Sequence, residues 1–303
     1  MSFPGRGSGT AIGDDGLEQG LLSSHDNKEM SCETGISKTL PINIELSDLS
    51  LEFVHRSPLT FRTLSRVNIL SKVNARMESG QLTAIMGVSG SGKTSLLDTL
   101  ASRLTKAGTP VVDGKVYLNA QLQDDIAQLS NFTAYVTQQD ELPAELTVEE
   151  ALTFAARVKI PEAYASAERC TVIVNKLVSD LGLEDCVTNR IGGGWEGAER
   201  ISGGERRRVS IALQLMGNPS VLLLDEPSSG LDSSSADRII RFLSRLATTQ
   251  NRTVICSIHQ PSAKIFSLFN RLLLLSKGNN NGGRWQGRCG PWFDAAVAAT
   301  AAC

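Results

Sequence analysis

What the chain lacks narrows it before any motif is read. No window approaches the about 18 consecutive apolar residues of a membrane-crossing helix; the run Leu272–Leu275 is far too short. The chain is therefore expected not to cross a membrane unaided. Residues 1–20 hold no apolar core of the length a secretory signal needs. The six cysteines are scattered without a C-x-x-C pair, which leaves zinc and thioredoxin-type chemistry unsupported and points to reduced thiols. A basic excess is missing too. Lys+Arg number 30 against 32 Asp+Glu, a formal charge of -2, so nucleic acid is not expected as a partner. Nor is there a repeat of about 20–50 residues, which excludes solenoids.

What remains is a composition near the globular average: 303 residues, 41% hydrophobic and 20% charged, long enough to bury a sizeable core. Residues 1–40, rich in Gly, Ser and acids, read as a disordered tail that cannot bury enough apolar surface to offset its ordering entropy. Residues 277–303, largely Asn, Gly and Ala near their two ends, read as poorly ordered. Between them, 41–276 form one domain. Strands are expected around Ile42, at Leu82–Met86, Val221–Leu224, Thr253–Ile258 and Arg271–Leu275, and a hairpin through Asp113-Gly114. Helical periodicity covers 93–104, 148–183 (broken at Pro161), 205–217 and 233–247. Nearly all-apolar later strands alternating with helices predict an α/β fold, a parallel sheet covered on both faces.

Gly87-Val88-Ser89-Gly90-Ser91-Gly92-Lys93-Thr94 matches G-x-x-x-x-G-K-[ST], between an apolar strand and an amphipathic helix. In such a loop glycines let backbone N–H groups turn inward around phosphates, at the positive end of the following helix. Lys93 then reaches the β and γ phosphates, Thr94 is placed for Mg²⁺, and Ser95 follows in the same helix start. The apolar run Val221–Leu224 ends in Asp225 and Glu226. At a strand's carboxyl end, Asp225 is placed to hold Mg²⁺ and Glu226 to polarise the attacking water. Ile201-Ser202-Gly203-Gly204-Glu205 opens another helix and forms a second phosphate-facing start, with only one P-loop lysine in the chain. The second cradle then serves another molecule's nucleotide. Arg206-Arg207-Arg208 reads as the solvated face of that helix.

These motifs, with Ser229-Gly230-Leu231-Asp232 and Ile258-His259, stand in the order and spacing of an ATP-binding cassette, and the whole of 42–276 resembles an ABC ATPase domain. The wording INIELSDLS, ISGGERRRVSIA, LLLDEPSSGLDS and SIHQPSAKIFSLF is similar to subfamily G, the white/sterolin-type half transporters. That resemblance implies an ABC cassette with a parallel core, an antiparallel β edge and a helical subdomain at about 140–200. It also implies ATP and Mg²⁺ as ligands, and ATP hydrolysis by a pair of cassettes. Gln138, in Tyr135-Val136-Thr137-Gln138, resembles the Q-loop glutamine that reaches Mg²⁺ and the attacking water. Ser202, Gly203 and Gly204 resemble the signature that caps the opposite subunit's ATP. Asp232 resembles the D-loop aspartate and His259 the switch histidine on the γ-phosphate. The family's adenine-stacking ring aligns with Leu51; Phe53, two residues on and on the same strand face, is the aromatic candidate, and apolar contact from Leu51 is the alternative. The resemblance further implies a transmembrane domain, in cis in a longer form or in trans. The cassette would sit at the cytoplasmic face of a membrane when partnered, and in the cytosol if complete and alone. Lipid or sterol-like cargo is the family-level expectation, a truncated or soluble ATPase with a regulatory role the alternative.

Overall fold

The computed structural model describes residues 39–56, 63–104, 109–123, 125–161, 166–192 and 200–275. The expected tails at 1–40 and 277–303 fall outside these, apart from Thr39 and Leu40. Two sheets carry the fold. The first is antiparallel, in the order β2 (Thr63–Met77), β1 (Ile44–Arg56), β4 (Thr109–Leu118) and β5 (Gln121–Gln123). The second is wholly parallel, in the order β6 (Thr133–Val136), β7 (Val221–Leu224), β8 (Thr253–Ser257), β3 (Leu82–Gly87) and β9 (Arg271–Leu275). This is the expected α/β arrangement, a parallel core with an antiparallel sheet beside it.

The period-two alternation of the parallel strands sends successive side chains to opposite faces, and each face has its own core. Leu82, Ala84, Leu222, Leu224, Val254 and Cys256 pack on one side with the helices α2 (Val148–Lys159), α3 (Ala167–Leu181), α4 (Gly203–Leu215) and α5 (Ser233–Gln250). Ile85, Val221, Leu223 and Ile255 face the other way, against α1 (Lys93–Leu100) and the antiparallel sheet. A short α6 (Ala263–Phe266) precedes β9. With both faces covered, the inner strands β7 and β8 have no solvent side.

Helix ends follow side-chain chemistry. Thr147 with Glu150, and Ser202 with Glu205, form reciprocal caps at the starts of α2 and α4. Ser166 caps α3 and Asp232 caps α5, while Gly182 and Asn251 end those helices in the left-handed region. Pro161 separates α2 from α3. The helix expected over 93–104 stops at Leu100, with Ser102 turned to φ 54.

The hairpin expected at Asp113-Gly114 is not a hairpin. β4 runs through both residues, and its turn to β5 lies at Asn119-Ala120. Gly114 (φ 106) sits at a break in the β1–β4 register between Ser47 and Ser50, where a Cβ would come within 2.6 Å of the Asp48 carbonyl oxygen. The dipeptide marks a β-bulge, which demands the same backbone freedom as a turn. Among the described residues Cys170, Cys186 and Cys256 are free and buried; burial pushes the Cys256 thiol up to about 12.

Candidate functional site

The site lies at the carboxyl ends of the parallel strands, where β3, β7 and β8 each hand over to a turn. β3 runs into the P-loop, and α1 begins after Gly92, whose φ of 95 makes a left-handed N-cap without a side-chain cap. No N-cap side chain therefore covers the positive end of α1, which faces the loop. Lys93, 7% exposed, folds back with Nζ donating to the carbonyls of Gly87 (3.0 Å) and Val88 (3.3 Å). Ser91 is buried, and its Oγ has no partner. Ser95 is buried within α1.

Opposite the loop, Thr94 Oγ1 donates to Asp225 Oδ2 at 2.8 Å. The other oxygen of this buried carboxylate accepts from Ser257 Oγ at 2.5 Å, and the same hydroxyl accepts from the Glu226 N–H at 2.8 Å. Glu226 itself sits at φ 45, left-handed for a residue with a Cβ. Its carboxylate Oε2 accepts from Gln138 Nε2 at 3.1 Å. Ser89, Lys93, Glu226, Ser229 and the exposed His259 share a pocket of about 370 Å³. Lys93, Thr94, Asp225, Glu226, Gln138 and His259 thus come to one place although 166 positions separate the first from the last.

The signature residues stand elsewhere. Ser202 and Gly203 are exposed and Gly204 is buried. Ser202 Oγ accepts from the Glu205 N–H at 3.3 Å, and Glu205 Oε2 accepts from the Ser202 N–H at 2.7 Å. Those contacts, the backbone N–H of Ser202 foremost, hold the Glu205 carboxyl below its ordinary range. Asp232 is likewise turned on its own helix, where Ser234 and Ser235 donate to it and lower its pKa.

Two expectations change. Phe53 is 3% exposed and packed in the core shared by α1 and the antiparallel sheet, as is Leu51. A ring covered on both faces offers no platform to a base, so Phe53 is withdrawn as the stacking residue. β2 lies against the loop instead: a Cβ on Gly92 would come within 2.8 Å of Leu70 Cδ2 and 3.7 Å of Ile69 Cγ2. The arginine run is not a solvated face either. Arg207 is 4% and Arg208 5% exposed. Arg207 reaches from α4 to the Thr137 and Gln138 carbonyls, to Asp140 Oδ1 at 2.8 Å and to the Asp225 carbonyl. It joins the start of the helical layer to the ends of β6 and β7. Sequence reasoning missed Ser257 as well, although a serine near the carboxyl end of the mostly apolar run Thr253–Ile258 was a signal that something polar waits at that strand end.

The donor set fits the expected ligands. An uncapped helix start, an unpartnered buried hydroxyl and a lysine held only by carbonyls are complementary to phosphate oxygens. A hydroxyl and a carboxylate 2.8 Å apart suit Mg²⁺, which keeps waters and takes one or two protein oxygens beside the phosphates. The absence of a group of three or more His, Cys, Asp or Glu among the described residues is compatible with that mode.

A loop of this geometry, on strands whose next turn supplies an Asp-Glu pair, defines a P-loop nucleoside triphosphatase built as a cassette. Residues 70–229 match the family described as ABC transporter, and the chain belongs to that family, whose cassettes are ATPases. It is 47% identical to ABC transporter G family member 11 of Arabidopsis thaliana, over 70% of this chain and 29% of that protein. With ATP-binding cassette sub-family G member 8 of Rattus norvegicus the identity is 40%, over 69% of this chain and 29% of the relative. The chain thus spans under a third of the length of these relatives. Among solved structures, the dimeric ATP-binding cassette MJ0796 in its post-hydrolysis state with ADP and Pi shares the fold, with a TM-score of 0.61 at 23% identity, over 82% of this chain and 98% of that one.

Proposed function

We propose that this chain is the ATP-binding and ATP-hydrolysing cassette of a subfamily G transporter, working in pairs at the cytoplasmic face of a membrane. Its P-loop amides and Lys93 would hold the β and γ phosphates, with Lys93 exchanging its carbonyl partners for phosphate oxygens. Thr94 and Asp225 would hold Mg²⁺, aided by Gln138; the ion would supply charge neutralisation on the phosphate oxygens. Glu226 would orient a water and hold its proton at the side-chain carboxylate. His259 would donate to the γ-phosphate, adding to the preorganised positive field.

The observation that carries this reading is the fixed Glu226. Its N–H is anchored on Ser257, its carboxylate is held toward Gln138, and it follows the Asp225–Thr94 pair directly. One P-loop and one exposed signature start per chain call for a second cassette, whose Ser202 and Gly203 would meet this chain's nucleotide. The dimeric solved neighbour supports that arrangement. Transport would then need a membrane domain, in cis or in trans, because no helix among the described residues is long and apolar enough to cross a membrane. Lipid or sterol-like cargo is proposed from the subfamily G resemblance of the sequence alone. No observation favours a free-standing regulatory role.

The test is Glu226→Gln. ATP binding, measured with a fluorescent nucleotide, should persist while phosphate release stops; near-normal hydrolysis in that variant would remove Glu226 from its role.

A further inference from the structure

A second cavity, of about 280 Å³, lies away from the nucleotide pocket, between the C-terminal end of α3 and the exposed flank of α5. Four guanidinium groups line it: Arg208 from α4, and Arg238, Arg241 and Arg245 from α5. The three on α5 are spaced so that one helix face presents them all.

Their charge is poorly answered. Arg241 is paired with Asp237 at 2.9 Å, a carboxylate already shared with Lys264 at 3.1 Å. Arg245 and Arg208 donate to the carbonyls of Asp180 and Gly182, both at 3.4 Å; carbonyls satisfy donors without cancelling a charge. Asp180 is the single acid in the lining. Glu205 and Asp232 act on Arg208 from a distance, but both are engaged in caps of their own helices. Arg238 has no ion-pair partner among the described residues. Arg208 Nε is buried with no hydrogen-bond acceptor. An orphaned N–H on a buried cation costs free energy and leaves that charge answered only by carbonyl and distant groups. Burial foremost, and after it the nearby Arg238, lowers the Arg208 pKa.

We propose that Arg208, Arg238, Arg241 and Arg245 form an anion site, separate from the nucleotide pocket, for a phosphate-class group: a soluble polyphosphate or the phosphoryl headgroup of a lipid. Guanidinium forks match phosphate oxygens in pairs, and several around one cavity favour a multiply charged group. The location gives binding a consequence. An anion there would tie the end of α3 in the helical layer to α5 beside the parallel sheet. It would do so through Arg208, which lies on the same helix as the signature start at Ser202. The order of that start would then depend on occupancy.

The experiment follows the arginine Nε–Hε resonances of the full chain while inorganic pyrophosphate is added. Arg208 and Arg238 should shift saturably, and the double variant Arg238→Ala/Arg241→Ala should bind more weakly by about tenfold for each guanidinium removed. Both substituted positions are exposed, so the variant should melt as the parent does. In parallel, both proteins are sedimented with phosphatidylcholine vesicles, with and without phosphatidic acid. Arginine-dependent sedimentation with the acidic vesicles assigns the site to a lipid headgroup; resonance shifts without it assign a soluble polyphosphate. Neither shift nor sedimentation, or equal binding by parent and variant, overturns the proposal.

Discussion

Helices α1 and α4 each start from a glycine-bearing motif, yet the N–H groups at the two starts have different fates. At α1, Gly92 takes the N-cap in a left-handed turn and offers no side chain, so no N-cap side chain stands between the start of the helix and a ligand. At α4, Ser202 and Glu205 occupy one another and the local donors. The first start is pre-organised in a single chain. The second is complete as a helix end, and in the proposed pairing it would meet a ligand only when a second cassette brings one. Sequence pattern alone makes both look like phosphate cradles, and capping geometry tells them apart.

The contrast can be broken or sharpened by four substitutions. The largest effect is expected from Arg207→Ala, which strips the tie between α4 and the ends of β6 and β7 and leaves Asp140 and the Asp225 carbonyl unanswered. Breaking so buried a pair costs about 3–5 kcal/mol, readable as a lower midpoint in urea unfolding. Lys93→Ala attacks the pre-organised start alone: phosphate release should fall about 10²–10³-fold, the scale for loss of one preorganised donor, with the fold kept by circular dichroism. Ser257→Ala deprives the buried Asp225 of a donor and the Glu226 N–H of its acceptor. A loss of about 1–3 kcal/mol in stability is expected, with turnover falling more than nucleotide affinity.

The smallest effect belongs to Glu205→Gln, where the amide still caps but the charge near the α4 start is lost, worth about 0.3–1 kcal/mol. Because the folded carboxyl is held below its ordinary range, its stabilisation is full above the unfolded value and lost as pH falls through the folded one. The melting difference between parent and variant should therefore be present at neutral pH and close up below about pH 4. A gap unchanged by pH would show that the charge is irrelevant to the cap.

The legible parts of the chain are those whose chemistry is contiguous. The P-loop, the Asp225-Glu226 pair and the apolar strands are spelled out in consecutive residues, and the ATP-binding cassette fold could be read from their order. The illegible parts are made by distant partners. Ser257 acts on residues more than thirty positions earlier, and Arg207 on a segment nearly seventy away. Charge composition said that three consecutive arginines should face water; which helix face another layer covers is not a local property. Asp113-Gly114 announces a demand for positive φ, but a neighbouring strand decides whether that demand becomes a turn or a bulge. Phe53 shows the same limit, since strand alternation gives its side and not what lies on that side.

Glu226 carries a last consequence, one for anyone who would engineer this protein. A left-handed backbone at a residue with a Cβ costs about 1–2 kcal/mol, and here it is imposed on the acid that the proposed reaction needs. Glycine at that position would shed the strain, offsetting the roughly 0.5–1 kcal/mol that its flexibility takes away. The resulting chain would melt no lower than the parent and turn nothing over. A variant library ranked by heat resistance would keep it, and only an assay of phosphate release would reveal what had been discarded.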